Sequence, residues 1–228
     1  MREYGHRVSE VIAHAEDYHQ AYYDVGIFRG PSLYFHRKSL ENRNRASLGR
    51  RLEYIYATLA AWGMHRMGSK GSKMVHFDTF QTSVLKLKDN ITEVSRFTPA
   101  EMNETKWREV EAIFMGIRVM SSATTIVGNS KVMAHLIPNI VPPIDREYTL
   151  RFLRGSTFIK NDRTKEWLLM REIVSEFFIP VAIDRKFRLL ARRWMDNQRK
   201  YPWDTSILKV IDNLVIGAQK MPQPGMKN

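Results

Sequence analysis

Apolar residues recur every three or four positions along almost the whole chain, and this spacing limits how the chain can fold. One face of an α-helix repeats with that period, whereas a half-buried strand alternates apolar and polar residues. The sequence shows no useful length of such alternation and no internal repeat. We therefore predict an all-α fold, a compact helical bundle whose helices are joined by short connections.

The length of the chain bears on its domain organisation. A chain of 228 residues forms one large domain or two small ones. We expect a single all-α domain over residues 1–228, with two lobes, 1–120 and 121–228, as the alternative. Residues 219–228 are predicted to form a flexible tail.

Local signals predict where several helices begin and end. Residues 98–101, Thr-Pro-Ala-Glu, have the pattern of a capping box with proline at the first helical position. Asp145 is a suitable N-cap for a short helix that Gly155 would close, and Asp204 for the last helix. We expect the aromatic patch at residues 33–35 to lie in an irregular loop.

The chain is strongly basic. It carries 36 lysines and arginines against 24 acids, a net charge of +12, which indicates an anionic partner, nucleic acid first and a membrane surface second. Basic residues cluster in residues 37–51 and along one side of a predicted helix near residues 185–199. A solvated loop running into a helix explains the first cluster equally well. The residues assigned to phosphate contact are Arg43, Arg45, Arg50, Arg51, Arg188 and Arg192.

Several classes of protein are excluded or disfavoured by composition. The chain has no cysteine, which excludes disulfides and cysteine-held iron–sulfur clusters. No apolar run approaches the roughly 20 residues of a membrane span, and the N-terminus lacks the apolar core of a signal peptide, so a cytoplasmic protein is expected. The seven histidines show no zinc-ligand spacing, and no dinucleotide or kinase motif is present, so we expect no cofactor.

Residues 126–146 combine features of an anion-binding turn. Gly128 can adopt a positive φ, which predicts a tight turn there. Asn129 or Ser130 would cap the following helix, whose first N–H groups would suit a phosphate. Lys131 would lie in the first turn of that helix, where a cation opposes the helix dipole. It is therefore either exposed surface or directed at an anion.

These residues resemble the helix-hairpin-helix motif of the DNA glycosylase superfamily. The resemblance implies a hairpin that grips duplex DNA, with Lys131 as the amine nucleophile of a DNA-repair lyase and Asp145 as its partner. The chain differs from the family pattern in one extra residue after the glycine, a shorter segment between lysine and aspartate, and an isoleucine at the second glycine position. The matching residues are Val127, Gly128, Lys131, Pro143 and Asp145.

Two functions follow from the resemblance and the charge. One is a glycosylase or lyase that acts on an extruded base, with Tyr34, Phe35 and Trp203 as candidates for stacking on that base. The other is a DNA-binding module without the chemistry, which the departures from the family pattern favour. RNA or an acidic protein remains an alternative partner.

Overall fold

The chain folds almost entirely into helices, as the periodicity predicts. The structure, a computed structural model, describes residues 4–24, 30–43, 47–68, 71–122 and 124–221. The first seven α-helices are α1 (Gly5–Ala13), α2 (Ala15–Asp24), α3 (Pro31–Glu41), α4 (Leu48–Leu59), α5 (Phe77–Leu85), α6 (Lys88–Val94) and α7 (Glu104–Gly116). The next six are α8 (Ile126–Leu136), α9 (Arg151–Arg154), α10 (Arg163–Ile173), α11 (Ile179–Ile183), α12 (Arg185–Asp196) and α13 (Ile207–Lys220).

Short irregular elements complete the fold. Residues Met67–Gly68 (β1) and Gly71–Ser72 (β2) pair as a minimal antiparallel hairpin. Single turns of π-helix are formed by Ala60–Met64, Arg146–Leu150 and Val174–Phe178. Pro99–Glu101 forms a single 3₁₀ turn. In the described ranges, no helix combines the length and apolar character that crossing a bilayer requires.

The chain divides into two compact units, each assembled from separated parts of the sequence. Unit 1 comprises Met1–Ile27, Ile144–Phe158 and Glu172–Asn228, and unit 2 comprises Phe28–Pro143 and Ile159–Arg171. These boundaries differ from a single division near residue 120, because the first and last helices of the chain belong to the same unit.

Unit 1 is built around the packing of α13 along α2. The two backbones approach so closely that a Cβ atom at Gly217 would lie 1.9 Å from the carbonyl oxygen of Tyr18. Rotation of a side chain cannot relieve a clash with a backbone atom, so the position requires glycine. The apolar residues of α13 that fill this core are Leu208, Val210, Ile211, Leu214 and Val215.

Unit 2 is built around α3, α4, α7 and α8. Helix α3 pairs with α4, and α8 packs against α3, α4 and α7. A β-bridge between Met74 and Met120 joins the segment after the hairpin to the segment before α8. The fully buried apolar side chains of these helices include Leu52, Ile55, Leu59, Ile113, Phe114, Val132, Met133 and Leu136.

The capping box predicted at residues 98–101 is confirmed, although it starts a different element from the one expected. The Thr98 amide donates to Glu101 Oε2 at 3.2 Å, and Pro99 occupies the first turn. The element it caps is a single 3₁₀ turn. Helix α7 has its own cap, because Asn103 Oδ1 accepts the amide of Lys106 at 3.0 Å.

Two further end signals are confirmed and one is wrong. Asp145 caps the turn after it by accepting the Glu147 amide at 2.9 Å, and Gly155 ends α9 with a φ of 63°. Asp204 is not the cap of α13, because Ser206 accepts the amide in that position. Asp204 lies two residues earlier and is fully buried.

The loop predicted at residues 33–35 is also wrong. These residues lie within α3, which begins with Pro31 in its first turn and Gly30 as the preceding cap residue. Proline is favourable at that position because the first helical N–H has no intrahelical partner. At the C-terminus α13 extends to Lys220, so the predicted tail overlaps its last turn, and residues 222–228 lie outside the described ranges.

Candidate functional site

Helix α12, in unit 1, presents a cationic face to solvent. Asp184 caps the helix by accepting the Phe187 amide at 2.8 Å. Phe187, Ala191 and Trp194 are buried, so the residues between them point outward. The exposed cations of this basic face are Arg185, Lys186, Arg188, Arg192 and Arg193, followed by Arg199 and Lys200.

The basic face of α12 carries little compensating negative charge. Asp196 is the acidic residue within the helix. In the part of the chain that the structure describes, no carboxylate pairs with the guanidinium groups of Arg188 or Arg192. A helix of 12 residues is about 18 Å long and can lie opposite roughly ten phosphate charges of a duplex. Arg188 and Arg192, both predicted phosphate contacts, are therefore accessible to a polyanion.

Folding separates the basic residues of the earlier cluster. Arg50 is exposed in the first turn of α4, and Arg43 is half-buried. Arg45 lies outside the described residues. Arg51 is buried, although it is adjacent to Arg50 in sequence. Of the three predicted phosphate contacts in this cluster that the structure describes, Arg50 has the accessibility that the role requires.

Arg51 has a structural role that corrects the prediction of a phosphate contact. Its Nε donates to the Ser39 carbonyl at 3.1 Å, and its Nη2 donates to the His135 carbonyl. The side chain thereby ties α4 to the ends of α3 and α8. Burial lowers the pKa of Arg51 to about 10, and the nearby charge of Arg43 adds to that effect.

The tight turn predicted at Gly128 is wrong. Gly128 lies in the first turn of α8, which begins at Ile126, and the positive-φ glycines of the described chain lie elsewhere. A Cβ atom at Gly128 would lie 2.6 Å from Met120 Cγ and 2.9 Å from Val119 Cγ1. The glycine therefore permits close packing against the segment before the helix, and it does not reverse the chain.

The start of α8 is closed by a carboxylate from the chain itself. Glu166 Oε2 accepts the Thr125 amide at 2.7 Å and the Ile126 amide at 2.8 Å, and it also accepts the Thr125 hydroxyl at 2.9 Å. A negative charge at a helix N-terminus is favourable for the same reasons that a phosphate is. These two amides are therefore already occupied.

Asn129 and Ser130 are fully buried, which corrects their assignment as phosphate contacts. The Asn129 side-chain amide donates to the Phe114 carbonyl at 2.9 Å, near the end of α7. The Ser130 hydroxyl donates to the Val127 carbonyl at 3.3 Å. Together with the burial of Gly128, this places the first turn of α8 in the core of unit 2.

Lys131 lies one turn further along α8 and is half-buried. Its ammonium nitrogen lies 5.6 Å from the centre of the Trp62 ring, within the distance of a cation–π contact. The indole ring therefore holds the side chain of Lys131 on one side.

Two buried imidazoles lie next to this lysine. His135 Nδ1 lies 2.7 Å from the Lys131 carbonyl, and a carbonyl only accepts, so that nitrogen carries a proton. His135 Nε2 lies 2.9 Å from His36 Nδ1. In a neutral pair His36 is therefore the donor to His135. Both rings also lie near Trp62, at 6.0 Å for His36 and 5.5 Å for His135.

The sequence interpretation missed His36. Burial at Ser32, Leu33, His36 and Ser39 follows helical spacing. That pattern would have placed His36 on the inner face of α3, had residues 33–35 been recognised as helical.

Asp145, the predicted partner of Lys131, belongs to unit 1. It is half-buried, and its Oδ1 serves the helix cap. Its own amide donates to the Thr149 hydroxyl at 3.1 Å, which fixes the backbone at this position.

The aromatic residues proposed to stack on a base differ in accessibility. Tyr34 is 57% exposed, with the Lys38 ammonium 5.8 Å from its ring centre. Phe35 is half-buried. Trp203 is buried and packs near the side chain of Lys209. Its assignment as a residue that stacks on an extruded base is therefore wrong.

Unit 1 contains a buried polar network that the sequence interpretation missed. His19 Nε2 lies 2.7 Å from Asp204 Oδ2, and Asn213 donates to Asp204 Oδ1 at 2.7 Å. Lys209 donates to Asp212 at 2.7 Å and also to Asn213. Burial lowers the pKa of Lys209, but the Asp212 carboxylate and other nearby groups outweigh it and raise the pKa above its ordinary value.

The network joins α2, α13 and the segment before α13. The His19 ring also stacks on Trp194, with 3.8 Å between ring centres. Because its polar groups are satisfied by one another inside the core, we assign the network to stability. Polar residues at core spacing on α13 were the signal available in the sequence.

Among the described residues, no group of three or more histidine or acidic side chains is arranged to hold a metal ion. Comparison with known proteins adds no relative. No family model, curated protein or solved structure matches this chain.

Proposed function

We propose that the protein binds nucleic acid, with duplex DNA as the first candidate, through the basic face of α12. The observation that carries the proposal is a row of exposed arginines, including Arg188 and Arg192, with one acidic residue in the helix. Each arginine that neutralises a phosphate releases condensed counterions, which favours binding. The net charge of +12 adds long-range attraction. A cytoplasmic location, as the sequence predicts, is part of the proposal.

The proposal is tested by the salt dependence of binding to a short fluorescent DNA duplex, followed by anisotropy. We expect affinity to fall steeply with salt. In the double variant Arg188→Gln/Arg192→Gln, the slope of log affinity against log salt should fall by about 2, one for each lost phosphate contact.

The matched control is Lys88→Gln/Arg96→Gln, which removes the same charge from exposed positions in unit 2. It should change the slope little. If the slope fell equally in both variants, binding would depend on the total charge of the protein and not on the basic face of α12. Tighter binding to duplex RNA or to polyglutamate than to DNA would favour the alternative partners, RNA or an acidic protein.

We propose as a second function a DNA-repair lyase in which Lys131 is the amine nucleophile. The observation that favours it is that the Lys131 ammonium and both rings of the His36–His135 pair lie near the Trp62 ring. In the proposed step the unprotonated Lys131 nitrogen bonds to C1′ of the sugar, and the glycosidic bond breaks. The damaged base leaves with the bonding electrons and takes up one proton from the nitrogen. The C1′–O4′ bond then breaks as the imine forms, and O4′ takes up the bonding electrons and the second nitrogen proton.

Borohydride trapping tests this second function directly. Reduction of the imine should link the protein covalently to a duplex that contains an abasic or damaged site, and Lys131→Ala should abolish the adduct. The control Lys165→Ala, at an exposed lysine of α10, should still form it. Absence of any adduct with the unmodified protein, or its persistence in Lys131→Ala, would exclude Lys131 as the nucleophile.

A further inference from the structure

A cavity of about 630 Å³ lies in unit 2 between α5 and the end of α7. Its volume is within the range of about 300–1,000 Å³ that small-molecule sites occupy. None of the predicted site residues lines it.

One wall of the cavity is a single face of α5. Asp78 and Thr82 are four residues apart on α5, and Lys86, the residue that follows the helix, continues the same spacing. Thr82 and Lys86 are exposed. This wall therefore presents a hydroxyl group and an ammonium group at its C-terminal end.

The opposite wall brings a second cation to the same cavity. Arg118 follows α7, and its amide donates to the Ser83 hydroxyl at 3.0 Å. The Ser83 hydroxyl in turn donates to the Phe80 carbonyl at 2.7 Å. These two bonds fix the backbone of Arg118 relative to α5, while its side chain remains exposed.

In the part of the chain that the structure describes, neither the Lys86 ammonium nor the Arg118 guanidinium pairs with a carboxylate. Asp78 lies eight residues before Lys86, about 12 Å along the helix, which exceeds the screening length of about 8 Å at physiological salt. Asp78 also lies 3.4 Å from His76. A third cation, Arg163, is also nearby. Burial lowers the pKa of Arg163, and the charge of Arg118 lowers it further. An anion between Lys86 and Arg118 would be favoured.

The cavity also contains an apolar surface. Leu87 and Met115 line it, and Gly116 is packed so tightly that an added Cβ would lie 2.6 Å from Leu87 Cδ2. The contact packs Leu87 closely against the end of α7. A ligand with an anionic group and a flat apolar part would use both surfaces.

We propose that this cavity binds a nucleotide, with the phosphate between Lys86 and Arg118 and the base against Leu87 and Met115. The exposed Thr82 hydroxyl supplies a further hydrogen bond to the phosphate or sugar. The choice of a nucleotide among phosphate esters rests on the proposed nucleic-acid function, whereas the phosphate site itself rests on the two cations.

The test is titration calorimetry of the full chain with thymidine 5′-monophosphate, thymidine and inorganic phosphate. We expect the nucleotide to bind more tightly than either part alone. Lys86→Gln and Arg118→Gln should each weaken nucleotide binding about tenfold through loss of a charge-assisted hydrogen bond. The control Lys88→Gln removes an exposed lysine that does not line the cavity, and its affinity should be unchanged.

Each other outcome overturns a stated part of the proposal. No binding by the unmodified protein, or equal losses in all three variants, would overturn the site. Equal affinity for inorganic phosphate and nucleotide would overturn the assignment of the apolar surface to a base. Arg188→Gln/Arg192→Gln should keep nucleotide binding, so failure of the α12 proposal and failure of this one give different results.

Discussion

Helices α12 and α8 were both predicted to bind a polyanion, but in the structure the predicted binding residues are exposed on α12 and mostly buried on α8. Along α12 the arginines alternate with buried apolar residues and remain exposed. The first turn of α8 is buried, and Glu166 occupies the two amides at its start. An exposed helix face that several residues define over three turns is therefore predicted more reliably from sequence than a turn inferred from one glycine.

The same contrast appears between two neighbouring residues. Arg50 and Arg51 are adjacent in sequence, yet one is exposed and the other is buried and hydrogen-bonded to Ser39 and His135. Successive residues of a helix are separated by about 100°, so one can face solvent while the next faces the core. Charge alone therefore does not distinguish a ligand contact from a structural donor.

The largest expected effect comes from exchanging the buried arginine. We expect Arg51→Met to lower the free energy of unfolding by about 3 kcal/mol, because two buried carbonyl groups lose their donor. Arg50→Gln should change it by less than about 0.5 kcal/mol. Urea denaturation of both variants measures the difference. Similar values for the two would contradict the structural role of Arg51.

The next effect concerns the glycine of α8. Gly128→Ala should destabilise the protein by about 1–3 kcal/mol, since the new methyl group would overlap Met120 and Val119. Leu189→Ala, on the exposed face of α12, is the control and should have little effect. Thermal unfolding distinguishes the two variants. Unchanged stability in Gly128→Ala would mean that the glycine is not tightly packed.

A smaller effect is expected at the carboxylate that closes α8. Glu166→Gln keeps the shape of the side chain but removes its charge, which should cost about 1–2 kcal/mol at a helix N-terminus. If the α8 amides were instead used to bind phosphate, the variant would also change DNA affinity. We expect DNA affinity at a temperature well below unfolding to remain the same, as anisotropy would show.

We expect the free energy of unfolding to fall gradually at alkaline pH because of a buried tyrosine in unit 1. Burial raises the pKa of Tyr22 from 10.0 to about 12, so the unfolded chain loses this proton first. The contribution of the protonated Tyr22 to the free energy of unfolding is complete below pH 10. It is lost between pH 10 and 12, at about 1.4 kcal/mol per pH unit for each such tyrosine. Denaturation at several pH values should show a smaller slope in Tyr22→Phe.

The sequence predicted the helical class and the outward arginines of α12 because both depend on periodicity along one element. It failed at the start of α8, at Arg51 and at Asp204, where the outcome depends on a partner distant in sequence. Glu166 lies about 40 residues from the amides it accepts, and His19 lies 185 residues from Asp204. No local rule contains those partners, so the buried polar contacts could only be found in the folded chain.

The most direct test of the α12 proposal is photo-crosslinking to duplex DNA. Leu189 lies 58% exposed among the arginines of α12, and Leu168 lies 53% exposed on α10 outside that face. With p-benzoylphenylalanine at each position in turn, we expect strong crosslinking from position 189 and little from position 168. Equal crosslinking at both positions, or none from position 189 under conditions where DNA is bound, would contradict the proposal that the basic face of α12 contacts nucleic acid.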